Sequence, residues 1–295
     1  MSMSRLLSQD WRFERLSDAQ ALLGESPAWS ARDNCVWWVD VTGRKLLRSD
    51  AGSGRTRVWR TPEEIGFVVP AAADRIMVGM ESGLFVFDPA DGGFTPVHRL
   101  EGRNLRFNDA ATDAAGRLWA ATCDIDNRAP LGRLFRIEPD LSATVVAEGL
   151  LTPNGLAVDS RCATLFLSDS HPTVRRLWRL PLDADSGSLG ERQEVARFDG
   201  PQGRPDGGAI DAEETYWIAG VGGGRLHGFS PAGARFAEVA TPMKSPTKFA
   251  FGGGGLATVF LTSKTGDEGD PGGFLYRATP GVAGRAETPF GYDPA

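Results

Sequence analysis

The chain has 295 residues, 24% charged and 41% hydrophobic, which is the make-up of a packed globular protein. Thirty-two Lys and Arg against 38 Asp and Glu give a net charge of −6, so there is no basic face for phosphate, and neither nucleic acid nor an anionic membrane is expected as a partner. Cys35, Cys123 and Cys162 are too few and too far apart for a disulfide framework or a Cys-x-x-Cys metal pair, while 37 Gly and 19 Pro argue for short strands joined by turns rather than helices.

In chain order, the start carries no apolar stretch of secretory or membrane-spanning length, so a soluble, cytoplasmic protein is expected. Residues 11–15 (WRFER) read as a lone strand. A pattern then begins at Glu25 and recurs at Ile65, Asn108, Asn154, Asp206 and Lys248, with spacings of 40, 43, 46, 52 and 42 residues. Each copy continues through a turn into an apolar or aromatic second strand, such as Val36-Trp37-Trp38, Leu118-Trp119 or Tyr216-Trp217-Ile218. Asp113, Asp159 and Asp211 recur five residues after their first positions, where a carboxylate can cap the turn. Third strands follow at residues 45–48, 84–87, 133–136, 176–179, 225–228 and 274–277, and fourth strands at 56–60, 94–99, 143–147, 193–198 and 235–239. The sixth copy lacks a fourth strand, and residues 11–16 have the character to fill it. Evenly spaced strands also describe a β-sandwich, but the regular period favours an all-β, six-bladed β-propeller, one domain over 1–295, with four-stranded blades closed by the N-terminal strand.

The first strand of each blade lines the central channel, so the first positions gather at one mouth. Glu25, Asn108, Asn154 and Asp206 supply oxygen to a common axis without His or Cys. Such a set suits Ca2+, Mg2+ or Mn2+ better than a structural zinc, and the bland alternative is that these groups bond strand backbone or channel water. Other chemistry finds no support. Gly-x-Ser-x-Gly and His-Glu-x-x-His are absent, His98, His171 and His227 have no spaced partners, and the glycine runs at 222–224 and 252–255 read as tight turns. Asp183-x-Asp185-x-Gly187 lacks the later glutamate of a calcium loop and reads as a hairpin.

Leu23-Gly24-Glu25-Ser26-Pro27-Ala28-Trp29, Arg106-Phe107-Asn108-Asp109, Pro153-Asn154-Gly155-Leu156 and Pro205-Asp206-Gly207 resemble, in order and spacing, the motifs of the SMP-30/gluconolactonase/regucalcin family. The resemblance runs from about Leu22 to Arg277. It implies a propeller with one divalent cation (Ca2+, Mg2+, Mn2+ or Zn2+) held by Glu25, Asn154 and Asp206. It further implies sugar contacts from Arg106 and Asn108, and from Asp126 where family members carry a glutamate one methylene longer. The implied activity is hydrolysis of an aldonolactone to the aldonic acid, with a small-molecule sugar lactone as partner and Asp206 as general base. Two other readings remain: a non-enzymatic calcium-binding or interaction propeller, and an aryl-esterase or phosphotriesterase-like hydrolase using Phe67, Phe249 and Phe251 at an apolar mouth. Arg106 beside Asn108 favours the lactonase, since a simple metal plug has no use for a cation there.

Overall fold

Alternating apolar and small residues in short runs separated by Gly, Asp and Pro turns form antiparallel sheets, and in the computed structural model, which describes residues 7–293, they form six. Residues 1–6 and 294–295 of the expected single domain lie outside the described residues. From the axis outward, blade 1 is Gly24–Ser30, Cys35–Asp40, Lys45–Asp50 and Thr56–Arg60, and blade 2 is Ile65–Pro70, Ile76–Met80, Gly83–Phe87 and Phe94–Arg99. Blade 3 is Leu105–Thr112, Leu118–Asp124, Gly132–Ile137 and Ala143–Leu150, and blade 4 is Pro153–Val158, Thr164–Asp169, Arg176–Pro181 and Gln193–Arg197. Blade 5 is Arg204–Ile210, Tyr216–Val221, Arg225–Phe229 and Arg235–Ala240. Blade 6 takes Pro246–Gly252, Thr258–Ser263 and Tyr276–Ala278 from late in the chain and its outer strand, Glu14–Arg15, from the beginning. The fold is the six-bladed β-propeller expected from the repeat.

Six buried apolar clusters fill the seams between neighbouring blades, so each sheet buries both faces. The closing seam of blades 6 and 1 carries Trp38, Phe260 and Leu275, with Trp29 stacked on Phe260 at 5.5 Å between centroids. The recurrent turn aspartates do two jobs. Asp113 and Asp211 cap their turns through backbone N–H groups and accept the indole N–H of Trp119 and Trp217 at 2.9 and 2.8 Å.

Two segments extend the repeat. Leu7–Gln9 pairs in parallel with the outer strand of blade 5, giving that sheet a fifth strand. Trp11 then packs on Trp217, with centroids 5.0 Å apart, before the chain reaches blade 6 at Glu14. Only Glu14–Arg15 of the lone N-terminal strand enters a ladder. At the other terminus, residues 283–293 run as a strap beneath the ring. The Ala283 carbonyl accepts from Ala212 and the Leu256 carbonyl from Gly284; Phe290 bonds both Pro70 and Ala72, and Gly291 bonds Gly116. The strap therefore crosses from blades 5 and 6 to blades 2 and 3, with Phe290 fully buried among the side chains of that far seam.

One feature of the inner strands positions the site. Each has a register break near its start, between Glu25/Ala28, Ile65/Phe67, Phe107/Asp109, Asn154/Ala157, Pro205/Gly208 and Pro246/Phe249. A bulge adds one residue to a strand and re-aims its side chains. The six bulges lie near the starts of the inner strands and re-aim the side chains there.

Candidate functional site

Glu25 and Asn154 occupy the last paired position before their bulges, whereas Asn108, Asp206 and Lys248 lie inside theirs. The fully buried Ile65 packs in the seam of blades 1 and 2. Glycine makes this geometry possible at two places. Gly155 adopts φ 66°, a conformation costly for other residues, and a side chain there would strike the Tyr216 hydroxyl. A Cβ on Gly207 would lie 2.4 Å from Lys248 Cβ. The glycines of the Asn-Gly and Asp-Gly motifs are therefore packing requirements of the channel wall. Ser26, beside Glu25, also holds a positive φ of 48°, and its hydroxyl bonds both the N–H and the carbonyl of Val68 in blade 2.

The Asn154 amide donates to Asp206 Oδ1 at 2.7 Å, which orients the amide and leaves its oxygen for another partner. Glu25 accepts the Ser26 N–H at 3.0 Å through Oε2. Burial, then the charges of Asp206 and Asp109, hold Glu25 well above the usual carboxylate range. Burial also raises Asp206 to about 7, against the pull of Arg204 and with a further push from Asp109. Two enclosed carboxylates that repel one another, beside an amide oxygen, form a hard-oxygen set short of positive charge, and that set fits a divalent cation. Among the described residues, no three His, Cys, Asp or Glu side chains gather into a metal-holding group, so a cation here would have to rely on two carboxylates and the amide.

At the mouth, Arg106 lies 3.2 Å from Glu64 through Nε and donates from Nη1 to Asn108 Oδ1 at 2.6 Å. Asn108 in turn donates to the Pro153 carbonyl at 2.9 Å, next to Asn154. The chain Glu64–Arg106–Asn108–Pro153 thus ties blades 2, 3 and 4 together at the rim. Asp126 stands apart, exposed in the turn after Asp124, where it accepts from Asn104 at 3.2 Å. His171 bonds Thr173 within its own loop. Phe67, Phe249 and Phe251 are buried in blade seams and supply no apolar mouth.

Sequence reading did not assign roles to Glu64, Asp109 or Lys248. Asp109 and Lys248 form a buried ion pair inside the channel. Burial works against the Lys248 charge, but Asp109 outweighs it and the ammonium's pKa is raised. Lys248 also lines a cavity of about 160 Å3 that continues down the channel to the strap. Glu287 of the strap faces this cavity with its carboxylate raised, chiefly by burial and partly offset by Lys248 and Arg285. Inward polarity at the first position of blade 6 signalled Lys248, whereas its partner, 139 residues away, carried no local signal.

A family model described as the SMP-30/Gluconolactonase/LRE-like region matches residues 23–265. The chain is 35% identical over 246 residues to 6-deoxy-6-sulfogluconolactonase of Pseudomonas putida, covering 82% of this chain and 84% of that protein. It is 27% identical over 263 residues to L-arabinolactonase of Azospirillum brasilense, covering 84% and 83% respectively. Among solved structures, the calcium-binding protein regucalcin from Agrobacterium tumefaciens superposes with a TM-score of 0.89 at 25% identity, covering 96% of this chain and 98% of that one.

Proposed function

The chain belongs to the SMP-30/gluconolactonase/LRE-like family, and from that premise we propose that it hydrolyses a sugar lactone to the corresponding aldonic acid at the mouth of its channel. What supports this reading is the bond from Asn154 to Asp206, the charge of Asp206 acting on the buried Glu25, and the Arg106–Asn108 pair beside Asn154 at the rim. The first three would hold one divalent cation, which when bound supplies Lewis-acid polarisation of the ester carbonyl.

The protein's own groups do the rest. Asp206 takes the proton of the attacking water through the oxygen that Asn154 leaves unengaged, and returns it to the departing ring oxygen, so that water adds and the ester C–O bond opens to acid and hydroxyl. A carboxylate whose pKa sits near neutrality suits that exchange. Glu25 contributes charge and keeps the cluster in place. Arg106, fixed by Glu64 and Asn108, presents its remaining N–H groups to ring hydroxyls, and Asn108 sets the distance between that cation and Asn154. Asp126 is an exposed rim carboxylate that meets the far side of the sugar.

Proton release from glucono-, galactono-, arabinono- and xylonolactones and a 6-sulfonated gluconolactone, run beside an aryl ester, tests the proposal. Turnover of at least one sugar lactone well above that of the aryl ester supports it, and turnover of the aryl ester alone contradicts it.

A further inference from the structure

Lys248 reaches from blade 6 to Asp109 Oδ1 in blade 3 and donates to the Ala110 carbonyl at 3.0 Å. In a ring of six, blades 3 and 6 face each other across the axis, so this ion pair spans the channel. The remaining capacity of Asp109 is also committed: Oδ2 accepts the Leu156 N–H at 2.9 Å, two residues beyond Asn154, and Oδ1 accepts the Ala110 N–H at 2.9 Å. The Lys248 stem crosses directly against Gly207, the neighbour of Asp206. The charges of Asp206 and Asp109 both act on Glu25, that of Asp109 also acts on Asp206, and the Lys248 ammonium that offsets them is bonded to Asp109, the carboxylate outside the proposed cation set.

We propose that Lys248 sets the affinity of the site for a divalent cation by neutralising Asp109, so that Glu25 and Asp206 supply the net negative charge that meets the ion. The proposal rests on the reading that this cluster holds such an ion. Its physical content is charge matching. With the lysine present the four side chains carry a net −2, equal and opposite to a divalent cation. Without it they carry −3, and the uncompensated charge of Asp109 adds to the attraction for the ion.

The test is calorimetric titration of Ca2+ and of Mn2+ into chelator-stripped, full-length protein as wild type, Lys248→Met, Asp109→Asn and the double variant. Charge matching makes Lys248→Met bind about tenfold tighter and Asp109→Asn about tenfold weaker, with the double variant back near the wild-type Kd. A pair that serves only as a structural crossbar weakens binding in both single variants, and a Lys248→Met Kd that is unchanged or weaker overturns the proposal. Should Asp109→Asn fail to fold, the double variant against Lys248→Met decides: equal affinities overturn the proposal, and weaker binding by the double variant supports it. Wild-type protein that binds neither ion overturns the cation reading itself, a result distinct from a wild type that binds while both single variants shift the same way.

Discussion

Asn154 and Asp206, 52 residues apart, are joined by an amide-to-carboxylate bond of 2.7 Å between the inner strands of neighbouring blades. That bond engages Oδ1 of Asp206, a carboxylate that the Ser170 side chain also hydrogen-bonds. Replacing Asp206 by Ala is expected to lower kcat for the preferred lactone by about 10²–10⁴-fold, the usual contribution of a general base, while the far-UV spectrum stays that of wild type. Steady-state kinetics beside circular dichroism check this, and wild-type turnover by the folded variant removes the base assignment.

Arg106 is expected to act on binding. Lysine cannot reproduce a planar guanidinium held between Glu64 and Asn108, so Arg106→Lys should raise KM roughly tenfold with a smaller change in kcat. Glu64→Gln, which loosens the same guanidinium, should move KM in the same direction by a smaller factor. A fall in kcat at constant KM for both variants would assign Arg106 to the chemical step instead.

The strap beneath the ring predicts a purely structural effect. Phe290 is fully buried in the seam of blades 2 and 3. Phe290→Ala should cost about 3–5 kcal/mol in urea unfolding, as large-to-small changes in a packed core do, and leave KM where it was. A large KM change would mean that the strap shapes the mouth.

His227 predicts an acid limb to stability. Burial lowers its imidazole from 6.5 to about 4; Nε2–H donates to the Gln202 carbonyl at 2.9 Å, and Phe198 packs edge-on against the ring. The unfolded chain therefore takes up a proton between about pH 6.5 and 4 that the folded chain refuses. The stabilisation due to this neutral histidine is full above pH 6.5 and is lost as pH falls through that window, by about 3 kcal/mol. Urea midpoints at pH 7 and pH 4.5 should differ less for His227→Gln than for wild type, and an equal difference would show that His227 does not carry the effect.

Much of this was legible in the sequence because a propeller repeats its signals. The polar first positions, the turn aspartates Asp113 and Asp211 and the aromatic second strands recur at a near-constant period, and WRFER stood out as a strand without a sheet. The bulges were not legible, because an extra residue in a ladder leaves no mark until the partner strand is known; register, rather than sequence period, decides that Asn108, Asp206 and Lys248 sit inside the bulge while Glu25 and Asn154 precede it. Leu7–Gln9 is a three-residue edge strand with too little pattern to read. The strap has no periodicity and anchors through backbone bonds and one aromatic residue. The Lys248–Asp109 and Arg106–Glu64 pairs exist only because ring closure and blade packing bring distant segments together.

On the proposed function, Glu25, Asn154 and Asp206 share one divalent cation beneath the ester being hydrolysed. The most direct measurement is the rate of proton release from the preferred sugar lactone by exhaustively chelated protein, before and after Ca2+, Mg2+, Mn2+ or Zn2+ is restored. Turnover should vanish on chelation and return with at least one of these ions. Hydrolysis at an undiminished rate by the chelated protein would contradict the proposed function.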